Sequence, residues 1–314
     1  MRRRGFLATG LAGLLGGCVA GPIPRLSADE ISGRWPAIGR FVTAYGARIH
    51  AWDQGTGQPV VLIHGASGNL RDWTFSAGPR LSQRYRTIAF DRPGLGYSDR
   101  PQGAGGDPAT QARVLMAAAK ELGVKRPIVV GHSLGAAVAM AWALADPDGI
   151  AGVVTVSGTV MPWSTRPMLA EMIGLDQLLI GVYFDYLQAS AAKGGIERFV
   201  QRIFRPQSPP PGYTDYVGGP LSLQTKALVA NKADIAALNT GLRRMSPDYH
   251  RLNLPIEIVS GTEDFIINPD RQPRPLAERL KNRRLTLLPG VGHMAHHVAE
   301  DEVIAAIDRI AAVA

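Results

Sequence analysis

Three residues in this 314-residue chain have the types that serine-based acyl chemistry requires: Ser133, Asp264 and His293. A serine hydroxyl is a weak nucleophile at neutral pH. It needs a base within hydrogen-bond reach, and the base needs an acid to orient it. Ser133 is the centre of Gly131-His132-Ser133-Leu134-Gly135. The flanking glycines suit a bend too tight for bulky side chains. The candidate base is His293, in Gly290-Val291-Gly292-His293, where the glycines allow a sharply bent loop. His296 and His297 are rivals, for which a surface or supporting role is expected near the final helix. The candidate acid is Asp264, in Gly261-Thr262-Glu263-Asp264, with Glu263 expected to be solvated. Residues 157–170 contain no Asp or Glu, so no acid is available after the strand that precedes them.

The elements needed to position these residues are legible as apolar runs. Pro59 to Ile63, Arg86 to Phe90, the run ending at Val130, Ile150 to Val156, Pro255 to Ser260 and Arg284 to Leu288 read as strands. Helical stretches are expected over 70–83, 108–122, 136–145, 275–280 and 300–312, and Phe41 to Trp52 reads as a hairpin around Tyr45-Gly46. Strands alternating with helices predict an α/β fold, a mostly parallel sheet with helices on both faces. Ligands bind such sheets at the carboxyl ends of the strands, where every polar cluster named above falls. Between 158 and 252 the alternation lapses. Helix-like stretches (168–180, 182–192, 196–204, 223–242) are broken by Pro209-Pro210-Pro211-Gly212 and Gly218-Gly219-Pro220, which predicts an inserted helical cap. The expected core is therefore 41–157 with 253–314.

Taken together, His64-Gly65 after a strand, the Asp91–Asp99 segment DRPGLGYSD, the GHSLG elbow and the late GTED and GVGH loops resemble the α/β-hydrolase superfamily, in its branch with a helical cap. The likeness covers residues 41–312, and the order Ser, Asp, His matches. The resemblance implies an oxyanion hole from the backbone N–H groups of Ala66 and Leu134, with Ser67 or Trp73 lining the pocket. The DRPGLGYSD segment is expected to be mainly structural. Relatives that use an elbow aspartate, the haloalkane dehalogenases and epoxide hydrolases, are disfavoured by Ser133. Carbon–carbon hydrolases of the fold also use serine. They usually carry a Gly-Pro-Gly-like stretch where this chain has Ala66-Ser67-Gly68-Asn69, which lowers that option. Esterases, lipases and cofactor-free haloperoxidase-like members share GHSLG. The expected activity is ester or related acyl hydrolysis on an apolar or acyl-bearing substrate, with no metal or organic cofactor. A non-catalytic binding protein on the same fold is the alternative from another class.

Composition bounds the rest. The chain is 46% hydrophobic and 19% charged, enough to bury a large core. The formal charge of +8 is scattered, without the aromatic-interleaved basic stripe of a nucleic-acid face. The single cysteine, Cys18, excludes an internal disulfide. Residues 1–17 have the shape of an export signal. Arg3-Arg4-Gly5-Phe6-Leu7 resembles a twin-arginine signal, and Leu15-Gly16-Gly17-Cys18 resembles a bacterial lipobox. Lipidation of Cys18, a tether over 18–40 and a soluble domain held at the cell envelope are the resulting expectations.

Overall fold

A computed structural model describes residues 26–163 and 194–314. The first half runs through helix α1 (Ala28–Arg34), strands β1 (Arg40–Ala44), β2 (Ala47–Gln54) and β3 (Pro59–Ile63), and short helices α2 (Arg71–Thr74) and α3 (Ala77–Leu81). Strand β4 (Arg86–Phe90), helix α4 (Pro108–Glu121), strand β5 (Ile128–His132), helix α5 (Leu134–Ala145) and strand β6 (Gly152–Val156) follow. Helices α6 (Ile196–Phe204), α7 (Tyr213–Val217), α8 (Gly219–Ser222) and α9 (Thr225–Met245) precede a 3₁₀ turn (Ser246–Arg251). The chain closes with β7 (Ile256–Gly261), α10 (Pro273–Arg279), β8 (Arg283–Leu288), α11 (Ala295–Val298) and α12 (Glu300–Ala311).

The described residues form an eight-stranded sheet in the order β1-β2-β4-β3-β5-β6-β7-β8. β2 pairs antiparallel with β1 and β4, and every other pairing is parallel. This is the expected α/β architecture. Strands β5, β6 and β7 are buried throughout, which is why they read as unbroken apolar runs. Successive residues of β3 feed opposite layers. Val61 and Ile63 pack with Leu115 and Val138, whereas Val60 and Leu62 pack with Leu81 and Ile307.

Two expectations need correction. The single helix over 70–83 is two short ones. Pro79 has no N–H to give the Phe75 carbonyl and its ring would crowd it, and the break falls at Ser76 (φ −144°, ψ −57°). Residues 26–40 are not a free tether. Ser27 and Glu30 form a capping box at α1, and Ile31 and Trp35 are buried against Leu221 of α8. The Trp35 indole N–H donates to the Asp215 carbonyl at 2.6 Å, and Tyr97 donates its hydroxyl to the Trp35 carbonyl at 2.5 Å.

Between β6 and β7 the regular elements among the described residues are helical, as expected. The stretches 168–180 and 182–192 lie outside the described residues. Helix α9 is fixed to the sheet side by a fully buried ion pair, Arg92 Nη1 to Asp234 Oδ2 at 2.6 Å, with Arg100 on the other carboxylate oxygen at 2.5 Å.

Candidate active site

Ser133 occupies the turn between β5 and α5 at φ 52°, ψ −119°, a left-handed φ that strains a non-glycine residue. The surroundings hold it there. Its N–H donates to the Val156 carbonyl at 3.0 Å, and its own carbonyl accepts from Thr159 N at 3.0 Å and Ala136 N at 3.1 Å. Both glycines of the pentapeptide are required by packing. A Cβ on Gly131 would collide with the Gly135 backbone, and one on Gly135 with the Ile63 carbonyl of β3. The elbow is thus a close approach of α5 to two strands.

His293 follows β8. Its Nδ1 lies 2.9 Å from Asp264 Oδ2, both side chains being buried. Asp264 Oδ1 accepts the backbone N–H groups of Ile266 (2.9 Å) and Ile267 (2.8 Å), so the carboxylate is aimed by its own loop. The two loops are laced together, Glu263 N donating to the Val291 carbonyl at 2.9 Å. From the cap side Gln207 grips the glycine loop, donating to the Gly290 carbonyl at 2.6 Å and accepting from Gly292 N at 3.0 Å. Ser133 and His293 line one cavity of about 350 Å³, together with Ala66 and Ser67. The structure therefore brings the expected serine, histidine and aspartate to one end of the sheet.

The two expected N–H donors lie at a helix start and beside a clamped loop. Leu134 opens α5, where the first N–H groups of a helix have no partner within it. Ala66 follows His64-Gly65, a loop clamped by Arg92. The guanidinium donates to the carbonyls of His64 (3.1 Å) and Gly65 (2.9 Å), and Arg92 N donates to His64 Nε2 at 3.0 Å. Burial, reinforced by the charge of Arg92, pushes His64 down to about 4 and keeps it a neutral acceptor. Ser67 lies on the cavity wall as expected. Its N–H donates to Asn231 Oδ1 (2.9 Å), and its hydroxyl accepts from Asn231 Nδ2 (2.7 Å). Trp73 does not line the cavity. It is fully buried in the layer with Leu70 and Leu81, because α2 turns that face to the core. The DRPGLGYSD segment is structural as read: Asp91 accepts from Leu70 N, Tyr97 N and the His50 ring at 2.7–2.8 Å.

Sequence reasoning missed a second cluster behind the triad. His296 and His297 are not on the surface. Both aim Nε2 at Asp72, at 3.0 Å to Oδ2 and 2.9 Å to Oδ1, and Tyr213 of α7 donates its hydroxyl to Oδ1 at 2.7 Å. Burial would raise the Asp72 carboxyl, but the field and hydrogen bonds of His296, then of His297, outweigh it and hold it well below the carboxylate range. Burial pushes His296 down to about 4 and lowers His132 strongly. The available signal was a polar residue on the buried stretch Leu70-Arg71-Asp72-Trp73 and a histidine doublet after the loop. Asp72, His132 and His296 each offer a ligand atom, all within 4.8 Å of one another. Asp72 Oδ2 and His296 Nε2 already lie at hydrogen-bond length, 3.0 Å.

This chain belongs to the α/β-hydrolase family, whose model, described as the alpha/beta hydrolase fold, matches residues 58–300. It is therefore placed in a family of hydrolytic enzymes. It is similar to a 2-hydroxymuconate semialdehyde hydrolase from Pseudomonas putida, with 29% identity over 279 residues, covering 82% of this chain and 88% of the relative. Among solved structures it resembles an esterase from Exiguobacterium antarcticum (TM-score 0.71, 20% identity, 87% of this chain and 99% of that one). It also resembles a meta-cleavage product hydrolase from Pseudomonas fluorescens IP01 (TM-score 0.69, 20% identity, 87% and 97%). Cys18 and the export motifs lie outside the described residues, among which no helix is long and apolar enough to cross a membrane.

Proposed function

We propose that the chain is a serine hydrolase that cleaves a carboxylic ester or related acyl bond through an acyl-enzyme. The observation that carries this reading is the strained Ser133 elbow on the same cavity as a His293 oriented by Asp264 at 2.9 Å. In this mechanism Ser133 Oγ attacks the carbonyl carbon while His293 Nε2 takes its proton. Asp264 holds the ring and offsets the imidazolium charge. The N–H groups of Ala66 and Leu134 receive the oxyanion, each worth about 10²–10³ in rate. His293 then protonates the leaving alcohol, and water, deprotonated by the same ring, releases the acid.

The cavity favours an apolar acyl group. Ile196, Phe199, Val200, Ile203 and Leu228 line it, with Phe265 and Ile266 as exposed apolar residues on its wall. Ser133→Ala is expected to lower p-nitrophenyl ester turnover by at least about 10⁴-fold and to abolish labelling by a fluorophosphonate probe. Retained labelling would sink the assignment.

A second reading is carbon–carbon cleavage of a ring-fission product, supported by the Pseudomonas putida relative's activity. Parallel assays on p-nitrophenyl esters of rising chain length and on a dienoate diketone separate the two. Turnover of the diketone above that of every ester would overturn the ester reading. Attachment to the envelope through lipidated Cys18 is part of the same proposal. A Cys18→Ser protein that still stayed with membranes after a high-salt wash would argue against it.

A further inference from the structure

We infer that Asp72 is a positioning residue for His293, a second buried carboxylate that fixes the base loop and stabilises the imidazolium formed during the reaction. The inference rests on the serine-hydrolase reading above. Asp72 collects side chains from three other elements. His296 and His297 come from α11, just after the base loop, Tyr213 comes from the cap helix α7, and His132, at the end of β5, places Nδ1 3.9 Å from Asp72 Oδ2. His132 is next to Ser133 in sequence. Its Nε2 lies 3.2 Å from the His293 carbonyl oxygen and donates to it, and its ring lies between those of His293 and His296, with centroids at 4.8 and 4.1 Å. The backbone of the base is therefore held by His132, and the residues after it by Asp72.

The tautomers follow from these bonds. Because His132 Nε2 donates to a carbonyl, its Nδ1 presents a lone pair toward the Asp72 carboxylate. His296 and His297 both turn Nε2 to Asp72, and burial keeps His296 neutral near neutral pH, so His296 satisfies the carboxylate without cancelling its charge. A buried charge one ring away from His293 acts through little water and attracts the positive charge that the ring takes up during the reaction. The groups facing His293 are then Asp264 from the β7 loop, His132 from β5 and His296 from α11. Those facing Asp72 are His132, His296, His297 and Tyr213, with His64 from the loop after β3 close enough to feel its charge. Among these described groups Asp264 and Asp72 are the only carboxylates. A role in packing alone accounts for the bonds to Asp72, but not for a pH effect.

The test is the pH profile of kcat/KM for a p-nitrophenyl ester in the full chain. Asp72→Asn removes the charge and keeps the shape. The expected result is a kcat lower by about tenfold, a KM within about threefold, and an acid limb moved to lower pH by about 0.5–1 unit. The sign follows because losing a negative charge disfavours protonation of the base. Asp72→Glu keeps the charge but displaces it, so its acid limb should stay at the wild-type position while kcat falls. If Asp72→Asn does not fold, this variant alone decides: a shifted limb or an unchanged kcat overturns the inference. For folded Asp72→Asn, an unmoved limb or a loss confined to KM overturns it. Ser133→Ala, run alongside, separates the two levels. Residual labelling there defeats the hydrolase reading itself, whereas a silent Ser133→Ala with a wild-type-like Asp72→Asn defeats only this inference.

Discussion

Two buried carboxylates take histidines from the same short stretch, 293–297, and they are used differently. Asp264 has one oxygen filled by two backbone N–H groups and the other by a single ring, His293. That ring borders the cavity, and only its Nδ1 is taken up by the bond to Asp264. Asp72 is filled by three side chains, and two of its partners, His296 and His297, have fully buried side chains. A third pair, His50 with Asp91 at 2.7 Å, ties β2 to the DRPGLGYSD turn. Residue types and hydrogen-bond lengths are nearly the same in all three. What differs is which ring meets the cavity and how many donors crowd the carboxylate. One partner leaves a ring free to exchange protons, whereas several immobilise the group.

The sharpest way to break this comparison is Asp264→Asn, which should lower kcat by about 10³–10⁴ with little change in the melting temperature, by imposing the wrong tautomer on His293. A tenfold loss or less would mean that Asp264 is no more than another Asp72. Next in size is Asp91→Asn. It should lower the unfolding free energy by about 2 kcal/mol in urea, because buried donors lose a charged acceptor, with kcat/KM within about threefold. A large catalytic loss would merge the third pair with the site.

The smallest effect, taken per pH unit, concerns titration. His64 and His296 sit at about 4 when folded against 6.5 when free, because burial disfavours the charged ring. Their folded values are the lower ones, so the unfolded chain binds protons that the folded chain does not. Stability is full above pH 6.5 and falls toward pH 4, by about 1.4 kcal/mol per unit for each such histidine. His296→Gln should flatten that slope in urea titrations between pH 6.5 and 4.5 by about one histidine's share. An unchanged slope would place the titration elsewhere.

Much of the fold could be read from local pattern. Strands Pro59–Ile63 and Arg86–Phe90 lie where their apolar runs put them, and Ile196–Phe204 is helical over the expected span. Trp73 was misplaced because an aromatic beside a loop gives no sign of which way a four-residue helix will face. The Asp72 cluster was invisible for a related reason: it joins residues 141 and 225 positions apart. The strap formed by Trp35 on the cap joins residues 180 apart.

The sequence by itself determined the α/β alternation, the serine elbow, the chain order of the candidate triad and the glycines its bends need. These depend on periodicity and on steric limits within a few residues. Only the tertiary structure decided which of three neighbouring histidines reaches the cavity, that Asp72 gathers the other two, and that Ile31 and Trp35 brace the cap. Those outcomes depend on which side chains are buried together, and burial is a property of the packed chain.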